Sequence, residues 1–180
     1  MKNLLIIVII SCLFSQTNIK ILKAEISYNG SHPFHQWTGI SKDLSLDLNC
    51  IEKDKMCDYL FSVPWISFNS GNDNRDNNMF YYVNAYEFQK IEMKFIDVKF
   101  DSLQQNNSEN LNLEGILSIA GTDKKISIPL NIDIINSHFE IQSEFIIKLS
   151  DFHIERPTLL MIPIKNEIII NISFKGLITI

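Results

Sequence analysis

The side chains best suited to chemistry fall in three places. His32 and His35 form a His-Pro-Phe-His group, the minimal beginning of a metal site. A metal ion held by imidazoles needs at least a third ligand. No cysteine or carboxylate stands at ligand spacing, although His138 or His153 could approach in three dimensions. Pro33 also disfavours the helix that would put both rings on one face. The pair therefore reads either as a minor metal-binding alternative or as hydrogen-bonded histidines at the mouth of a cavity, touching a polar ligand head.

The second place is the cluster Ser70, Asn72, Arg75 and Asp76. A turn carrying hydroxyl, amide and guanidinium groups can fix a ligand head by hydrogen bonds. The plainer reading is that Asp73 or Asn74 caps a helix and Arg75 pairs with an acidic neighbour. A calcium loop is ruled out, because Asn77 stands where the tight turn needs glycine and no glutamate closes the loop. Ser70, His35 and Asp76 are the residue types of a hydrolytic triad, but there is no Gly-x-Ser-x-Gly elbow to present the serine. The expectation is a non-enzyme that needs no cofactor.

Third are the cysteines. Cys50 and Cys57 flank a mostly charged stretch, Ile51 to Met56, that reads as a hairpin loop between two strands. In an oxidising compartment they are expected to pair as a structural disulfide worth about 2 to 3 kcal/mol. The spacing is too wide for a Cys-x-x-Cys redox site. Cys12 belongs to a different segment. Lys2 followed by the apolar run Leu4 to Phe14 is too short to span a bilayer and reads as a secretory signal. Residues 1–15 are taken as the signal peptide, cut after Ser15, with Ala24 a weaker second position; residues 16–180 form one domain. The product is expected in the periplasm or secreted. The alternative takes Ile9-Ile10-Ser11-Cys12 as a lipobox, giving an outer-membrane lipoprotein, and membrane contact is expected only if Cys12 is lipidated.

These residues must be carried by strands. Ile126, Ile128, Leu130, Ile132 and Ile134 alternate with polar residues, which means a strand with one buried face. The pattern recurs from Phe139 to Leu149, from Ile168 to Ile178 and from Leu111 to Ile119. Ile19 to Tyr28, Thr38 to Leu48, Asp58 to Ser67 and Glu92 to Asp101 complete about eight strands. Gly121-Thr122-Asp123 and Asn136-Ser137 suggest short hairpins and antiparallel order. Only Asp73 to Tyr86 and a short piece around Ser150 to Glu155 look helical. One buried face per strand without helices to cover it leaves a sandwich or a closed barrel. With 180 residues, a net charge of −5 and no basic stripe, the chain is one acidic domain and nucleic acid is an improbable partner.

Four stretches, in order, resemble the YceI-like family. They are Gly30-Ser-His-Pro-Phe-His-Gln-Trp-Thr-Gly39, the strand, turn and Arg-Asp of Val63 to Asp76, Phe88 to Phe95, and Leu113 to Leu130 with its glycine turn. Gln89 departs from the pattern, standing where the family usually has proline. The resemblance runs from about Ile19 to Ile180. It implies an all-β fold, an antiparallel lipocalin-like β-barrel of about eight strands with one or two short helices. It also implies an interior that holds an isoprenoid, quinone-like or fatty-acid-like apolar ligand, in a monomer or homodimer. A solid-cored adaptor barrel is the alternative. Candidate ligand-binding residues are Trp37, Phe61, Val63, Trp65, Ser70, Asn72, Arg75, Phe95, Leu117, Ile119, Phe139 and Phe145, with Ile128 beside them.

Overall fold

A computed structural model describes residues 18–51, 56–99 and 108–179. The predicted signal peptide and Cys12 lie outside these residues. Strands β1 (Asn18–His32), β2 (His35–Ser41), β3 (Ser45–Ile51) and β4 (Met56–Pro64) come first. A 3-10 turn (Trp65–Ser67) and helix α1 (Asp73–Tyr82) follow, then β5 (Lys90–Lys99), β6 (Ser108–Ile119), β7 (Thr122–Ile135) and β8 (His138–Lys148). A second 3-10 turn (Leu149–Phe152), a small hairpin of β9 (Thr158–Leu159) and β10 (Ile162–Pro163), and β11 (Glu167–Thr179) complete the described chain.

Nine strands form one antiparallel sheet in the order β2-β1-β11-β8-β7-β6-β5-β4-β3, curled into a half-barrel. The expected count of about eight differs because the stretch from Thr38 to Leu48 is not one strand. It breaks at Lys42–Leu44, and its two halves have different partners: β2 pairs with β1, from His32↔His35 to Ile26↔Ser41, and β3 pairs with β4, from Ser45↔Ser62 to Ile51↔Met56. The strands at the two ends of the sheet order are thus joined by three residues of covalent chain. At this corner Ile40 and Asn69 exchange backbone hydrogen bonds of 3.0 and 2.9 Å. Ser67 Oγ–H donates to the Pro64 carbonyl (2.6 Å), so its 2.6 Å contact with buried Ser41 takes its proton from Ser41.

The alternation read from the sequence is the in-out alternation of the sheet. On β7, Ile128, Ile132 and Ile134 are buried while Ser127, Pro129, Asn131 and Asp133 are exposed. Pro129 offers no N–H, and the described β7-β8 pairing runs only from Asn131↔Gln142 to Ile135↔His138. Past that point buried Ser143 donates its hydroxyl to the Pro129 carbonyl at 2.6 Å. The hairpin turns are Ala120-Gly121 and Asn136-Ser137, each with both residues at positive φ.

Two helical expectations need correction. The first helix stops at Tyr82, four residues before the predicted Tyr86, because Asn84 takes the left-handed conformation (φ 50°) that asparagine tolerates at a helix end. Of the segment Ser150 to Glu155 only Ser150 to Phe152 is helical, as part of the 3-10 turn Leu149–Phe152, which His153 closes at φ 55°. Nothing in the alternation announced β9 and β10.

Candidate functional site

A cavity of about 560 Å³ lies inside the curl. Its wall is built from inward residues of the strands: Tyr59, Phe61 and Val63 on β4, Met93 and Phe95 on β5, Leu117 and Ile119 on β6, Ile128 on β7, Phe145 on β8, and Ile168, Ile170 and Ile172 on β11. Period-two alternation alone puts such a row on one face, and the curl turns that face inward. Aromatic packing gives the wall shape. Phe61 meets Phe95 edge-on at 6.2 Å and Phe174 at 5.6 Å, and Phe174 meets Phe139 at 6.0 Å.

The polar groups gather at one end. The end of β1, the start of β2, the turn after β4, α1 and the β9-β10 hairpin all reach this rim, and they bring His32, His35, Asn72, Asn74, Arg75, Asn78 and Thr158 into the lining. The Asn72 side chain caps α1 by accepting the Arg75 N–H at 3.0 Å, so the cap is Asn72 and not the expected Asp73 or Asn74. Asp76 accepts the Ser70 N–H at 3.1 Å, and Arg75 donates to the Ser70 carbonyl at 3.3 Å while its guanidinium lies 5.4 Å from the Trp37 ring. The Tyr28 hydroxyl pKa is pushed up to about 12, first by burial and then by the Asp76 charge. Among the described lining residues Arg75 carries the only permanent charge.

The two histidines sit on the same rim, their rings 5.7 Å apart. His32 bonds through Nε2 to the Ile162 carbonyl (3.1 Å), and His35 stacks on Trp37 at 5.3 Å. Among the described residues no three His, Cys, Asp or Glu side chains are grouped to hold a metal. The triad arrangement is not assembled either, since the Ser70 hydroxyl is enclosed without a partner and Asp76 is engaged by backbone.

Trp37, Phe61, Val63, Trp65, Asn72, Arg75, Phe95, Leu117, Ile119, Ile128 and Phe145 all line the cavity. Ser70 and Phe139 do not: Ser70 turns inside its own loop, and Phe139 packs over Gly176, where an added Cβ would collide with its ring. Tyr28, Tyr59, Met79 and, from the segment Pro157 to Ile164, Pro157, Thr158, Leu159 and Ile164 are lining residues that the alternation did not single out. Tyr28 shares the inward row with Ile26, so its place was readable in principle. Pro157 to Ile164 carries no such signal. Cys50 and Cys57 stand directly opposite each other in the β3-β4 register, and Cys57 is buried.

The YceI-like domain model matches residues 18–176. The chain belongs to the YceI-like family. This YceI-like protein is similar in structure to a polyisoprenoid binding domain from Saccharophagus degradans described as implicated in plant cell wall breakdown. The TM-score is 0.73 at 14% identity, over 91% of this chain and 98% of that one. It is also similar to BcnA from Burkholderia cenocepacia (TM-score 0.68, 13% identity, 84% and 95% covered). A third similar structure is the Campylobacter jejuni YCEI protein (0.58, 20%, 76% and 82%). At these identities the likeness carries the fold. No curated protein matches the sequence.

Proposed function

We propose that this YceI-like protein is an exported carrier that encloses the tail of an isoprenoid or other long-chain amphiphile and holds its head at the rim. The carrying observation is a cavity of about 560 Å³ with a mostly apolar wall and most of its polar side chains collected at one end. A hydrocarbon tail gains roughly 0.8 kcal/mol for each methylene removed from water, before ordering costs, so the wall needs no special group. The head is where specificity enters, and a guanidinium already placed over Trp37 favours an anionic or acceptor-rich head. The polyisoprenoid-binding description of the Saccharophagus degradans domain supports the same ligand class. The solid-cored alternative would require the space to be filled.

Export by a signal cut after Ser15 belongs to this reading. A cut after Ala24 would strip Asn18 through Ala24 from their pairing with β11, and Ala24 is itself buried. The cross-strand cysteines are proposed to be oxidised in that compartment.

Lipid extraction and native mass spectrometry of protein purified from its own host test the carrier role; material that repeatedly carries no amphiphile would refute it. Arg75→Gln supplies a sharper arm. It is expected to weaken binding of a fluorescent fatty acid about tenfold, the loss of one charge-assisted hydrogen bond. Binding of the matching fatty alcohol should stay unchanged. Equal loss for both would place the head elsewhere.

A further inference from the structure

The β9-β10 hairpin is built against the usual rules for an exposed turn. Its two central residues, Leu160 and Met161, sit at φ 52° and 64°, a turn that favours Asn-Gly. Both are large, apolar and displayed to solvent, at 74% and 97% exposure, with Leu159 and Ile162 also exposed beside them. Beside this tip stands the β1-β2 turn with Phe34, 65% exposed. The two tips are tied together, His32 Nε2 to the Ile162 carbonyl at 3.1 Å and Lys165 N–H to the Ser31 carbonyl at 2.8 Å. Both edge the cavity, since His32, His35, Leu159 and Ile164 are in its lining.

Charge singles out the same lip. The chain holds 21 Asp and Glu against 16 Lys and Arg, yet Ile26 to Lys42 and Arg156 to Asn166 contain no carboxylate. The exposed Lys165 flanks the apolar tip on one side and Arg156, whose guanidinium holds the Ile164 carbonyl at 2.6 and 2.8 Å, on the other, with exposed Glu155 and Glu167 just outside them. An acidic molecule approaching an anionic bilayer is repelled over most of its surface and least at this carboxylate-free lip. Exposed apolar residues bracketed by cations match the apolar and ionic layers of a phospholipid surface.

We infer that this lip docks on an anionic phospholipid bilayer, bringing the cavity mouth onto the membrane so that an amphiphile passes between bilayer and barrel. No described helix is long and apolar enough to cross a membrane. Docking does not depend on acylation of Cys12, in contrast to the expectation from the sequence. The inference rests on the carrier reading for its purpose but not for its measurement.

The test uses flotation of the mature protein with vesicles of phosphatidylcholine alone or mixed with phosphatidylglycerol. Wild-type protein should float with the mixed vesicles, and added salt should weaken it. Leu160→Asn with Met161→Gly installs the preferred turn residues while removing the apolar tip. It should fold at least as well and float about tenfold less. Lys165→Glu should reduce flotation on the mixed vesicles only. Absence of wild-type flotation, or undiminished flotation of the double variant, would overturn the inference. Equal binding to phosphatidylcholine alone would overturn the commitment to an anionic surface. A wild-type dimer that the double variant converts to monomer would assign the tip to a second copy instead and overturn it too. Uptake of a fluorescent fatty acid in detergent-free solution, measured on the same proteins, reports the carrier reading separately: its failure with flotation intact sinks only that reading.

Discussion

At the level of single residues, two glycines make the rim possible. Gly30 faces Trp37 and Gly39 faces Tyr28 across β1 and β2, and in each pair the aromatic ring lies where a Cβ would have to be. The absent side chains let Trp37 and Tyr28 lie across the backbone. Gly39→Ala should displace Tyr28 and lower stability by about 1 to 3 kcal/mol, the usual range for overpacking. Urea unfolding and near-ultraviolet circular dichroism would register both effects, and an unchanged midpoint would contradict this packing. Gly39 fell inside a strand read from the sequence and Gly30 two residues beyond the one ending at Tyr28, but neither partner was visible, because a cross-strand neighbour is fixed by register and not by spacing. The tyrosines add a pH dependence. Tyr28 and Tyr59 have hydroxyl pKa values raised from 10.0 to about 12, chiefly by burial. Between those values the unfolded chain gives up protons that the folded chain retains, so stability is full below about pH 10 and falls as pH rises toward about 12. Tyr59→Phe should flatten that decline in urea midpoints taken at pH 9 and pH 11.

The individual elements show where pattern reading succeeds and fails. β7, β8 and β11 were legible because each keeps a mostly apolar row at every second position over many residues, although Ile135, Ile146 and Ile169 put exposed apolar side chains on the other face. Thr38 to Leu48 carries a mark at its break, where Lys42-Asp43 interrupts the apolar row and the inward side changes from Gly39 and Ser41 to Leu44, Leu46 and Leu48, but a two-residue interruption alone does not say that the halves have different partners. The division comes from outside: β1 claims the first half and β4 the second. Helix α1 ran short of Tyr86 for the opposite reason, a local one, since Asn84 ends it. The β3-β4 hairpin carries the cysteine pair. Protein from an oxidising compartment should show no free thiol on unfolding at Cys50 or Cys57, and Cys50→Ala with Cys57→Ala should lose about 2 to 3 kcal/mol. Two free thiols in such material would disprove the link.

Across the molecule as a whole, the lining of the wall was readable, and so were single rim groups such as His32, His35, Asn72 and Arg75, but not the assembly of the rim or the part played in it by Pro157 to Ile164. Wall residues such as Val63, Leu117 and Phe145 follow from one-dimensional periodicity plus curl. The rim joins His32 to Trp37, Asn72 to Met79 and Pro157 to Ile164, segments far apart in the chain that meet only because antiparallel strands return to the same end. The apolar Leu159 to Ile162 run, bounded by Pro157 and Pro163, gave no period to interpret, and its meaning rests on what it stands beside.

The corner at Lys42–Leu44 has a mechanical consequence. A tube knitted all the way round has a circumference fixed by strand number and stagger. Here two backbone hydrogen bonds and one serine-serine contact fasten β2 to the segment after β4, each worth about 1 kcal/mol net. Such a clasp can part while the covalent chain keeps both sides together, so under the proposed carrier role its parting would widen the bore for stouter cargo without unravelling a ladder. Ile40 and Asn69 are a directly opposed bridge pair, a spacing suited to a disulfide. Ile40→Cys with Asn69→Cys, oxidised, should keep its grip on slender unbranched chains and refuse thick branched ones, and reduction should restore both.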